Sequence, residues 1–149
     1  MPIKLPDLES QTRFSLARWS EILGDKDLAK LPNRVETDRH GHILMTPPPG
    51  FIHSDRQSQM FALLLHLLPG GRPFSECPVS TADGVKAVDL AWLDLDRPEL
   101  LERPLVLTRA PEICVEILSP SNTQSEIDEK HALYFDAGAT EVWICNLAG

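Results

Sequence analysis

The chain has 149 residues, 42% of them apolar, and a formal net charge of −8. That is enough for one domain with a sizeable core and too apolar for a disordered chain. The acidic balance suits non-specific nucleic-acid binding poorly, and no apolar run approaches the ~20 residues of a membrane-crossing helix, so no membrane partner is expected.

The opening "MPIKLPDLES" lacks the apolar core of a secretory signal. Downstream, "SLARWSEILGD" places Leu16, Trp19, Ile22 and Leu23 at helical spacing, with Ser15 as the expected cap. "DKDLAKLP" predicts a second short helix stopped by Pro32. "NRVETDRHGHILMT" predicts two strands joined around "DRHGH", and "PPPG" then breaks the chain. "HSDRQSQMFALLLHLLPGG" is the clearest helix, expected to be capped near Ser54 and ended by Pro69-Gly70, with Phe61, Leu64, Leu65 and Leu68 as its core stripe. "FSECPVST" and "AVDLAWLDL" are strands turning at "ADG", and "DRPELLERPLVLTR" is a polar excursion. "PEICVEILSPS" is a central strand, "TQSEIDEKHALYFDAG" a helix stopped at Gly138, and "TEVWICNL" a further strand. The last three imply a parallel crossover. The fold class is α/β, with a mixed sheet flanked by helices. The chain ends at Gly149 straight after an apolar strand, so truncation or a partner chain's strand is expected to account for that edge.

The three cysteines, Cys77, Cys114 and Cys145, have neither CxxC nor zinc spacing, which points to reduced thiols and a cytoplasmic location. His40, His42, His66 and His131 show no ligand spacing either. The informative groups are acids. Glu116 sits inside the apolar run "ICVEIL", where a carboxylate costs several kcal/mol unless a cation or hydrogen bonds meet it. Asp89 is a second acid among apolar residues. Alternation puts it on one face with Ala91 and Leu93, and Glu116 on one face with Cys114 and Leu118. If the strands are neighbours the carboxylates meet, and they then repel unless one holds a proton or both share a cation. Hard oxygen ligands favour Mg²⁺, Mn²⁺ or Ca²⁺. At ~100° per residue Lys130 falls in the apolar arc of its helix, with Ile127, Tyr134 and Ala137, and so points inward toward Glu116. A structural ion pair between buried acid and lysine explains the same pattern without a metal.

Other polar residues carry two readings each. Glu36, beside Val35 on the hairpin, is a further acid for the site or a solvated strand residue. His53 and Gln57, before and one turn into the longest helix, touch substrate or metal-bound water, or His53 merely caps. Ser119 and Ser121 are expected to cap the crossover helix or its loop. Tyr134 and Trp143 are expected in the core.

Taken together, "AVDLAWL", "PEICVEILSPSN" and "EIDEKHALYFDAGATEVWI" resemble the Uma-type restriction-endonuclease family, long catalogued as a domain of unknown function within the PD-(D/E)xK nuclease superfamily. "RVETDRHGHILMTPPPGFIHSDRQSQM" resembles its hairpin, PPP turn and first core helix, so the likeness runs from about Arg34 to the end. The resemblance implies a restriction-endonuclease-like core, a central mixed β-sheet flanked by helices, with an N-terminal helical segment over 1–32 and a nuclease-like domain over 33–149, one domain overall. It implies Asp89 and Glu116 as the motif acids. Leu118 stands where the superfamily usually has lysine, and Lys130 replaces it. The implied activity is metal-dependent hydrolysis of phosphodiester bonds in DNA, with Mg²⁺ or Mn²⁺ held by Asp89, Glu116 and the carbonyl of Ile117. Asp89, Glu116 and Lys130 are the implied catalytic set, Glu36, His53 and Gln57 accessory candidates, and a homodimer the expected assembly. A non-catalytic dimeric binding module with the same fold is the alternative.

Overall fold

The computed structural model describes residues 7–148. The expectations that fall on residues 1–6 and on Gly149 therefore lie outside the described residues. The described residues form three α-helices, a two-stranded hairpin and a four-stranded sheet, with 3-10 turns at Leu28–Lys30 and Pro98–Glu102. Helix α1 is Leu8–Gly24, followed by a single 3-10 turn over Leu28–Lys30. Strands β1 (Arg34–Thr37) and β2 (Ile43–Thr46) form the antiparallel hairpin. Helix α2 spans Phe51–Leu67. Strands β3 (Gly71–Thr81), β4 (Gly84–Asp94) and β5 (Ile113–Ile117), helix α3 (Gln124–Asp136) and strand β6 (Glu141–Cys145) complete the chain.

The sheet order is β3-β4-β5-β6. The first two pairings are antiparallel and β5–β6 is parallel, so the sheet is mixed and α3 is the crossover that a parallel pair requires. Strands β4 and β5 lie inside the sheet with both faces covered, which is why they read as near-continuous apolar runs. On one face, Leu64 of α2 packs on Leu90, Ile113, Val115 and Ile117, with Met60, Phe61 and Leu68 at the margin. On the other, Tyr134 of α3 packs with Ala91, Leu93, Cys114 and Val79. A third cluster joins Trp19 and Ile22 of α1 to Val85, Val106 and the hairpin residues Val35 and Ile43. The hairpin is thereby clamped across the start of β4. Gly84 shows how close that approach is. Its φ is +84°, and a Cβ there would lie 2.5 Å from the carbonyl oxygens of Thr37 and Asp38.

Several local expectations are corrected. Asp7, not Ser15, caps α1: its carboxylate accepts the Ser10 N–H at 2.8 Å, and Ser15 is buried within the helix. The predicted second helix shrinks to one 3-10 turn because Pro32 leaves no room for more. Helix α2 starts at Phe51 after an extended Gly50 rather than near Ser54, so His53 lies in its first turn. Leu65 is exposed, since the stripe facing the sheet is narrower than the run of leucines. Thr123, not Ser119 or Ser121, caps α3, forming a reciprocal capping box with Glu126, while the two serine hydroxyls bond each other at 3.0 Å. Trp143 is not core. It lies on β6, at the sheet's edge, and is 36% exposed. Tyr134 is fully buried, as expected.

Candidate active site

The ladder that pairs Leu90 with Val115 sets Asp89 across from Glu116 one step further on. Both side chains share the face of Ala91 and Cys114, the face covered by α3. Asp89 is 1% exposed and Glu116 8%. Lys130 reaches in from α3 and lies 3.8 Å from Glu116 Oε2 and 3.2 Å from Glu36 Oε1. Thus the three residues expected to converge do so, from three separate elements.

The accessory candidates join them. Glu36 is the hairpin's contribution: its Oε2 accepts the Ala87 N–H at 2.7 Å, tying β1 to β4 as it meets Lys130. His53 Nε2 lies 3.4 Å from Asp89 Oδ2, and its Nδ1 is buried with no hydrogen-bond partner. Gln57 Nε2 donates to the Asp89 carbonyl at 2.6 Å and to Glu76 Oε1 at 3.1 Å. The Ile117 N–H donates to Asp89 Oδ2 at 2.8 Å. A cleft of about 210 Å³ is lined by Asp89, Glu116, Lys130, Glu36 and His53, with Pro47, Pro48 and Pro49 and with Ser119 and Ser121.

Two members of this network escaped the sequence reading. Arg34 sits 2.7 Å from Asp89 Oδ1 and 2.9 Å from Glu76 Oε2. Strand alternation with Glu36 was the available signal for Arg34, since residues two apart share a face. Nothing local marks Glu76, whose role depends on an unusual backbone conformation. Tyr134, read as core alone, also donates its hydroxyl to Glu116 Oε1.

The electrostatics separate the two acids. Burial pushes the Glu116 carboxyl up, and the neighbouring Asp89 charge adds to it. Lys130 and the Tyr134 hydroxyl oppose but do not cancel the rise, to about 8. Burial would raise Asp89 too, but His53, the Arg34 charge and the Ile117 N–H outweigh it and hold the carboxyl near about 2. His53 is raised by its contact with Asp89. Burial disfavours the Lys130 ammonium, yet Glu116 and Glu36 more than compensate, so Lys130 titrates above the usual lysine value and is a fixed positive charge near neutral pH. Asp89 is thus held ionised beside a Glu116 that keeps its proton near neutral pH.

The residues fit a hard divalent cation. Asp89 Oδ1 is buried and accepts no hydrogen bond, and a cation beside Glu116 would favour the ionised form that burial disfavours. Among the described residues no group of three or more His, Cys, Asp and Glu side chains forms a ready metal cage.

A family described as Uma2, "Putative restriction endonuclease", matches residues 25–149. No curated protein matches the chain. Among solved structures, the chain is similar to a crystal structure of a putative nuclease belonging to DUF820 from Anabaena variabilis ATCC 29413. The identity is 23% and the TM-score 0.66, over 79% of this chain and 70% of that one, a likeness that shows the fold.

Proposed function

The chain belongs to the Uma2 family, and on that premise we propose that it is a metal-dependent endonuclease that hydrolyses phosphodiester bonds in DNA. The observation that carries this reading is the convergence of Asp89, Glu116 and Lys130 from β4, β5 and α3 on one cleft. Asp89 and Glu116 would hold Mg²⁺ or Mn²⁺, with the backbone carbonyl of Ile117. When bound, the ion supplies Lewis-acid polarisation of the phosphate and lowers the pKa of water. The Lys130 ammonium positions the attacking water and offsets charge that grows on the phosphoryl oxygens in the transition state. Glu36 holds Lys130 in place from the far side at 3.2 Å. His53 and the Ile117 N–H orient the Asp89 carboxylate. Tyr134 fixes one oxygen of Glu116, leaving the other toward Lys130. Among the described residues no helix is long and apolar enough to cross a membrane. A cytoplasmic homodimer is the proposed form.

One observation favours a second reading. Arg34 already neutralises Asp89 at 2.7 Å, as in a purely structural ion network. In that case the fold would serve as a non-catalytic dimeric binding module. Cleavage of plasmid and linear DNA with Mg²⁺ and with Mn²⁺ decides between them. Activity lost in Asp89→Ala and Lys130→Ala, with melting curves retained, is the expected result. Wild-type protein inert on every DNA offered, with either ion, overturns the nuclease reading.

A further inference from the structure

Arg34 opens β1 and leaves the hairpin on the same face as Glu36. Its Nη2 donates to the Ala87 carbonyl at 2.8 Å, which anchors the guanidinium against β4. Nη1 then lies 2.7 Å from Asp89 Oδ1 and Nε 2.9 Å from Glu76 Oε2. Neither contact has hydrogen-bond alignment: Arg34 Nε and Asp89 Oδ1 are both buried without a hydrogen bond. A guanidinium committed to one carboxylate grips it through two parallel N–H···O bonds. Here it straddles two acids by charge alone.

The second acid is held there at a cost. Glu76 lies inside β3 with φ +51°, the left-handed region that costs a non-glycine residue about 1–2 kcal/mol. The ladder pairs Ser75 with Leu90 and Cys77 with Val88, and is interrupted between them, where Glu76 faces Asp89. The carboxylate contacts Arg34 and receives the Gln57 amide at 3.1 Å. Backbone strain persists where surrounding structure imposes it, and it clusters at switch and ligand sites.

We propose that Arg34 is an exchangeable counter-ion, a resident cation that neutralises Asp89 until a divalent metal displaces it onto Glu76. Arg34 is then a positioning residue that sets the metal affinity of the site through Asp89, and Glu76 is the carboxylate that receives it. This rests on the metal-binding part of the nuclease reading. Engagement of Asp89 by Arg34 and by metal are mutually exclusive, so each opposes the other and removing Arg34's engagement strengthens metal binding.

The test is calorimetric titration of Mn²⁺ into metal-free wild type, Arg34→Gln, Glu76→Gln and the double variant. Arg34→Gln keeps an N–H for the Ala87 carbonyl and removes the charge, and it should bind Mn²⁺ about tenfold or more tighter, within the usual range of coupling between sites. Glu76→Gln should bind more weakly, because the displaced guanidinium loses its receiving acid. Most of that weakening should vanish in the Arg34→Gln background. A purely structural arginine would lower affinity in both single variants. Equal or weaker Mn²⁺ binding by folded Arg34→Gln, with wild type binding, overturns the inference and leaves the metal site intact. No binding by either protein overturns both. Should Arg34→Gln not fold, Arg34→Lys, a point charge that cannot span both acids, takes its place, and Mn²⁺ affinity equal to or below wild type overturns the inference.

Discussion

Removing the Tyr134 hydroxyl, as Tyr134→Phe, probes the charge state of Glu116 directly. Tyr134 is fully buried and donates to Glu116 Oε1. The phenylalanine ring fills the same space, so the change deletes one hydrogen bond and little packing. With Glu116 neutral, that bond is worth about 1 kcal/mol; with Glu116 ionised, about 1.5–3 kcal/mol, because a charged acceptor is left short of a donor. Glu116 is pushed up to about 8 by burial and by Asp89. The cost of Tyr134→Phe should therefore grow with pH, from about 1 kcal/mol at pH 6 to roughly 2–3 kcal/mol at pH 9. For a chain of this length each kcal/mol shifts the melting temperature by about 2–4 °C. The assay is differential scanning calorimetry of both proteins in metal-free buffer from pH 6 to pH 9, with Glu116→Gln as the background control. A penalty that is constant or shrinks as pH rises would refute the reasoning, as would an equally pH-dependent penalty in Glu116→Gln.

The same group sets a trend in overall stability. A carboxyl whose folded pKa lies above its unfolded value binds its proton more tightly when folded, so its contribution is full below the unfolded pKa and is lost as pH rises through about 8. Metal-free protein should thus lose stability between about pH 5 and pH 8 from this site, and urea midpoints of Glu116→Gln should show a flatter profile. Leu64→Ala, at a buried position of α2 facing Leu90 and Val115, should cost about 2–5 kcal/mol, read as a lower urea midpoint at unchanged slope. Gly84→Ala should destabilise by more than about 1 kcal/mol in the same assay, since φ is +84° and the new Cβ would strike the Thr37 and Asp38 carbonyls. Thr123→Ala should cost about 1 kcal/mol by opening the α3 capping box, with faster amide exchange confined to the first turn of that helix.

Periodicity alone placed α2, α3 and the strands, because apolar spacing follows directly from which face each element buries. Boundaries were less legible. Whether Asp7 or Ser15 caps α1 depends on where the backbone turns, and either residue type caps well. Trp143 was misplaced because its burial depends on β6 being an edge strand, which strand order decides and strand pattern does not.

Asp89, Glu116 and Lys130 were visible in one dimension because each breaks an apolar pattern, and an inward charge must find a partner. Glu36 was open between function and a solvated strand position, and His53 between function and a helix cap, for their patterns suit either. Glu76 became visible only once the hairpin lay across β4, and Arg34, though alternation puts it on the face of Glu36, meets its two acids only there, across the whole of α2. Their meeting rests on a left-handed backbone at Glu76 and on the ladder register beside Asp89, both of them products of long-range packing that no local spacing encodes.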